Sequence, residues 1–237
     1  MMILRDIALL WAMLHVFVIV ASLFESRYSY RKTPLVLLAI LFPIVALNAA
    51  LFLLLGAEKM GQIVLLTGSF PSLLVFFMLS RYRDARICFT FFLTNTMAFT
   101  GVVLTHIIDY YLVGNQLIFF FACQMIIYPL LEWFIWERAR KFYRDLLRTV
   151  QRGWGILAGI SLCFFVLLVL MSVFPVPFYK KVGQVPVLLL VIITIVMVYF
   201  GIFRCFICSR RASMPWTRSA AAHSGSSFCA TNWSQSA

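Results

Sequence analysis

His106 and Asp109 form the most chemically suggestive pair in the chain, three residues apart within an apolar run. A helix through them puts both on one face, where an imidazole and a carboxylate can share a proton or hold a cation. The same pair has a structural reading, because Asp109-Tyr110-Tyr111 has the look of an aromatic belt meeting water at a span end. His15 stands in the middle of the first apolar run, as a packing histidine or a sensor. Glu132 lies near the end of another run, with Arg138 and Arg140 close behind it, so pairing among them at the inner interface is expected. Charge inside a bilayer is costly, which makes each of these a functional candidate. His106, Asp109 and His15 are the candidate signal-sensing residues. Glu132, Arg138 and Arg140 are the inner-interface polar group.

Catalytic and cofactor motifs are missing. The chain has no phosphate-cradling Gly-rich loop, no H-E-x-x-H, no G-x-S-x-G and no kinase catalytic loop. Cys205-Phe-Ile-Cys208 has C-x-x-C spacing, but no second Cys or His pair accompanies it for zinc. His223 has no helical context that would make it a phosphoacceptor. No catalytic, cofactor-binding or metal-ligating residue is assigned, and the chain as it stands is not expected to be an enzyme.

The elements that must position the candidate residues are membrane spans. Of the 237 residues, 63% are hydrophobic and 12% charged, against about 25% charged in soluble domains. Apolar stretches run near Ile7–Phe24, Leu35–Leu55, Ile63–Leu79, Ile87–Leu112, Leu117–Trp136, Trp154–Phe174 and Val187–Phe203. Each is close to the ~17–25 residues that cross a bilayer as a helix. The expected fold is all-α, a polytopic bundle of seven transmembrane helices. Little sequence remains, so a soluble catalytic domain of ordinary size, about 100 residues or more, has no room.

Charge sets the expected orientation. Arg27, Arg31 and Lys32; Arg81, Arg83 and Arg86; Arg138 to Arg152; and Arg204 to Arg218 fall on alternate flanks, and together hold sixteen of the twenty Lys and Arg. Only Arg5, Lys59, Lys180 and Lys181 fall on the other side. Cytoplasmic loops carry the Lys/Arg excess, which places the N-terminus outside and the C-terminus inside a bacterial cytoplasmic membrane. The net charge of +12 therefore reflects topology and the anionic inner leaflet, and nucleic acid is not an expected partner. The first span is too long for a signal-peptide core and reads as a retained anchor. The six cysteines lie in spans or on the reducing side, so no disulfide framework is expected.

Within this frame Glu137–Arg152 predicts an interfacial amphipathic helix, with Phe142, Leu146, Leu147 and Val150 at helical spacing. Val113-Gly-Asn-Gln116 forces spans four and five into a tight hairpin. Asn48, Asn95 and Gln124 are expected to join helices, and Pro43, Pro71 and Pro129 to kink them. Pro175, Pro177 and Pro186 break the last outer loop. From about Ala212 the composition turns to Ser, Ala, Thr and Trp without period. Residues 1–208 are thus a seven-helix transmembrane sensor domain and 209–237 an irregular, disordered cytoplasmic tail. Codons permitted for Met214–Ser219, read two bases later, give Ala-Met-Asp-Glu-Glu, so a frameshift is one origin for the tail.

The runs Leu79-Ser-Arg-Tyr-Arg-Asp-Ala-Arg86, Phe89-Thr-Phe-Phe-Leu-Thr-Asn-Thr96 and His106-Ile-Ile-Asp-Tyr-Tyr-Leu112 stand out in the chain. With Tyr128-Pro-Leu-Leu-Glu-Trp133, Arg152-Gly-Trp-Gly155 and Leu170-Met-Ser172, they resemble the membrane sensor half of GHKL-type sensor histidine kinases from Firmicutes such as clostridia. The resemblance covers roughly residues 1–208. It implies a receptor module of a two-component system whose kinase half is truncated or frameshifted away here. ATP and Mg²⁺ would serve only that missing domain, and a response regulator would be a partner only where the domain is present. The other expected partners are the lipid bilayer, a second copy of the chain and a small, lipidic or peptide signal. The alternatives are a small transporter or permease-like protein and a structural membrane protein.

Overall fold

The computed structural model describes residues 2–29, 31–114, 116–173 and 185–230, which are helical apart from short connections. The helices are α1 (Met2–Leu23), α2 (Lys32–Val64), α3 (Phe70–Leu79), α4 (Ala85–Ile108), α5 (Leu117–Phe134), α6 (Arg140–Thr149), α7 (Trp154–Val173) and α8 (Val185–Ala230). Wide π-helical turns at Leu65–Ser69, Asp109–Val113 and Ile135–Ala139 join α2 to α3, extend α4 and join α5 to α6. There is no named strand among the described residues, only one isolated antiparallel bridge between Ser26 and Ser80.

Six helical segments are long and apolar enough to cross a bilayer, and Leu10–Leu23 is a shorter apolar helix, giving six to seven spans. Gly56, at φ 75° and ψ 162°, breaks α2; the apolar segments on either side are Lys32–Gly56 and Gln62–Leu79, the second running through the π turn into α3. The outward faces are strongly apolar: Leu54 is 81% exposed and Ile118 75%. A water-soluble protein rarely exposes contiguous apolar surface on that scale, whereas lipid is a natural solvent for it. The chain has the build of a multi-pass membrane protein.

By compactness the chain divides into Met1–Val191 and Ile192–Ala237. In the first unit α4 is the most enclosed segment and lies along α7. Its sequence permits this, because Thr90, Thr94, Thr96 and Thr105 return their hydroxyls to carbonyls four residues earlier. Each polar group is thereby satisfied within its own helix. Phe76 of α3, fully buried, packs against Phe17 of α1, Phe24 just past its end and Phe91 of α4.

The prolines and amides explain one another in part. Pro71 has no N–H to return to the Thr67 carbonyl four residues earlier, and a π turn precedes it. Asn48 Nδ2 donates to that carbonyl at 3.0 Å, and the Thr67 hydroxyl donates to Asn48 Oδ1 at 2.9 Å. Asn48 thus joins two helices as expected. Asn95 instead bonds the Phe91 carbonyl of its own helix. Gln124 is fully buried, and neither amide atom has a hydrogen-bond partner among the described residues.

The second unit continues α8. Its backbone is helical to Ala230, whereas irregular structure is expected from residue 209; Ala220-Ala221-Ala222 carries high helix propensity. Pro186 lies in the first turn of α8, where a proline costs a helix little. Pro175, Pro177, Lys180, Lys181 and residues 231–237 lie outside the described residues.

Candidate functional site

Three connections that are rich in Arg meet at one end of the first unit. Arg27 N–H donates to the Leu79 carbonyl at 3.1 Å, and Arg81 N–H donates to the Glu25 carbonyl at 2.7 Å. These bonds tie the α1–α2 and α3–α4 connections together. Helix α6 closes onto the same end: Arg148 grips the buried Glu25 carboxylate through Nε at 2.7 Å and a terminal nitrogen at 2.6 Å. Arg144 donates to the carbonyls of Ser22 and Phe24, at 3.0 and 3.2 Å. Those carbonyls end α1 without helical partners, and a cation there also meets the negative end of the helix dipole.

Helix α6 forms as its pattern predicts, and it buries Tyr143, Leu146 and Leu147 rather than lying free. Tyr143 and Thr90 share a buried hydroxyl–hydroxyl bond at 2.8 Å, which fixes α6 against α4. The amphipathic face is therefore largely spent on the protein interior.

One turn-pair deeper, the structure makes a pairing that spans 117 residues of sequence. His15 Nδ1 and Glu132 Oε1 are 2.5 Å apart, the ring N–H donating to the carboxylate. The imidazole lies edge-on to Trp11 at 4.3 Å and stacks on Tyr128 at 5.5 Å. Tyr128 is itself pinned by donating its hydroxyl to the Ala98 carbonyl of α4 at 2.9 Å. His15 Nε2 has no hydrogen-bond partner among the described residues. Glu132 was expected to pair with Arg138 and Arg140; its hydrogen-bond partner is His15. Arg140 stacks on Trp136 instead, 3.8 Å from the ring centre, and Arg138 is exposed.

His106 and Asp109 are both buried at the opposite end of α4. The His106 ring meets Phe120 edge-on at 5.1 Å. Asp109 Oδ1 accepts the Gln116 N–H at 3.0 Å, tying down the connection to α5, where Gly114 takes φ 76°. Asp109 Oδ2 has no hydrogen-bond partner among the described residues. The buried Asp109 carboxylate thus closes the tight hairpin between α4 and α5.

Between α1, α2, α5 and α6 lies a cavity of about 730 Å³. Its deeper wall is apolar, with Val18, Leu37 and Pro129; its basic part carries Arg81, Arg140, Arg144 and Arg148. Glu132 lies in the wall, which places the His15 contact at the edge of the cavity. No group of three or more His, Cys, Asp or Glu among the described residues could hold a metal ion. All cysteines described are free thiols. No family model, no curated protein and no solved structure matches the chain.

Proposed function

We propose that the chain is a membrane-embedded sensory module of a two-component histidine kinase of the GHKL type. In this reading seven spans sit in the bacterial cytoplasmic membrane with the N-terminus outside and the C-terminus inside. A small, lipidic or peptide signal shifts the packing of the bundle, and α8 passes the shift toward the cytoplasm. ATP and Mg²⁺ belong to the kinase domain, and a response regulator is its partner.

The observation that carries the proposal is the His15–Glu132 contact between α1 and α5, at the edge of a cavity on the basic end. Intramembrane ionisable pairs are functional candidates by default. A polar contact between two helices also gives a natural pair of states, made and broken, that a ligand can bias. A transporter reading would draw support from ionisable groups at the bilayer midplane flanked by interrupted helices. The three π turns and the Gly56 break interrupt helices, but Glu132 and the Arg residues gather at a bundle end.

Sequencing the gene downstream of codon 212 tests the kinase reading. A helical stalk and ATP-binding boxes in any frame support it, and their absence from all three frames removes it. Substrate uptake into vesicles that depends on Glu132 would favour transport.

A further inference from the structure

We infer that the cavity between α1, α2, α5 and α6 is a binding site for the phosphate headgroup of an anionic lipid, its acyl chains lying along the apolar wall. The inference goes beyond the sensory reading and does not require it, since a transporter or scaffold would hold the same lipid.

The wall divides by chemistry in the way an amphiphile requires. Val18, Leu37 and Pro129 supply an apolar surface, and Arg81 and Arg140 supply charge at its basic end. The two acids in the wall are already committed: Glu25 to Arg148 at 2.6 Å, and Glu132 to His15 at 2.5 Å. Arg81 and Arg140 have no ion-pair partner among the described residues. Arg140 also holds a buried Nε with no hydrogen-bond partner among the described residues, while its guanidinium is fixed over Trp136 at 3.8 Å. A buried guanidinium nitrogen without an acceptor is costly, and phosphate is the acceptor whose geometry an Arg fork matches best. Trp133 and Trp136, both mostly exposed beside it, are the residue type that settles at headgroup depth. Basic pockets between membrane helices are a recurrent form of headgroup site.

The test uses the full chain reconstituted in phosphatidylcholine vesicles. Quenching of its tryptophan fluorescence is compared for dibrominated phosphatidylglycerol and dibrominated phosphatidylcholine at equal mole fraction; Trp133 and Trp136 in the wall report occupancy. The expected result is about tenfold stronger binding of the brominated phosphatidylglycerol, the factor for one charge-assisted hydrogen bond of ~1.5 kcal/mol. Arg140→Gln should bring the ratio close to one. Arg81→Gln, at an exposed position where folding is not at stake, should lower it as well. Arg83→Gln removes the same charge from the same connection outside the wall and should leave the ratio largely intact, because a distant exposed charge is screened. Equal quenching by the two lipids would overturn the inference. So would a preference that survives both wall substitutions. Inorganic phosphate tests the source: if it displaces the brominated phosphatidylglycerol, the site binds free phosphate and the lipid assignment falls.

Discussion

Separating His15 from Glu132 should produce an energetic coupling well above that of an ordinary membrane hydrogen bond. Interhelical hydrogen bonds in membranes average about 0.6 kcal/mol, with a maximum near 1.7. A bond to a charged group is worth roughly 1.5–3 kcal/mol, and breaking a fully buried ion pair costs about 3–5. The His15 side chain is 9% exposed and that of Glu132 23%, so the pair is enclosed on one side only. We therefore expect about 2 kcal/mol for either single substitution and a coupling of about 1.5 kcal/mol, near the lower bound for a charged bond. His15→Phe keeps a ring between Trp11 and Tyr128, so the change isolates the polar contact from the stacking. Glu132→Leu completes a double-mutant cycle, read by SDS-titrated unfolding in bicelles. Glu132→Gln retains an acceptor and should keep only the neutral share, about 0.6 kcal/mol. A coupling below about 0.5 kcal/mol, the size of ordinary non-additivity, would mean that the two side chains do not act as a pair.

Three further outcomes follow from the packing. Asn48→Leu should cost about 1 kcal/mol in the same unfolding assay, and less in a Pro71→Ala background, where residue 71 regains an N–H for the Thr67 carbonyl. An equal cost in both backgrounds would break the link between that proline and that amide. Gly153→Ala should destabilise by roughly 1 kcal/mol, because φ is 88° there, while Gly155→Ala, with open space and no such backbone demand, should be neutral. Single cysteines placed at Lys59 and at Arg83 in an otherwise cysteine-free chain should differ toward a membrane-impermeant maleimide. Lys59→Cys should label in intact cells and Arg83→Cys only after permeabilisation, and the reverse pattern would invert the topology.

Several local features were legible in the residues and several pairings were not. Gly56 was readable as the end of a span, and it is where the helical path breaks. The amphipathic stretch after span five was readable as a helix, but its period could not say that Tyr143 would find Thr90 on α4. Asn48 and Asn95 looked alike, each a lone amide in an apolar run. Asn48 faces a carbonyl that Pro71 leaves without its usual donor, and Asn95 faces only its own helix. The expected pairing of Glu132 with Arg138 and Arg140 rested on closeness along the chain. On a regular helix those residues lie about 9 and 12 Å further along the axis, and the nearer one points to another face. Closeness in sequence therefore did not mean contact, and an acid inside the bundle took the imidazole that packing brought to it.

By itself the sequence determined that the chain is helical, that its helices are long and apolar enough for a membrane, and that Arg-rich connections alternate with others. These properties are local, because in lipid each segment must satisfy its own backbone hydrogen bonds and so declares itself through length and hydropathy. Only the tertiary structure decided which polar groups meet. His15 and Glu132 are 117 residues apart, and the basic cavity draws its wall from four helices and three connections. Such contacts depend on how helices rotate and pack against one another, and hydropathy alone does not encode that rotation.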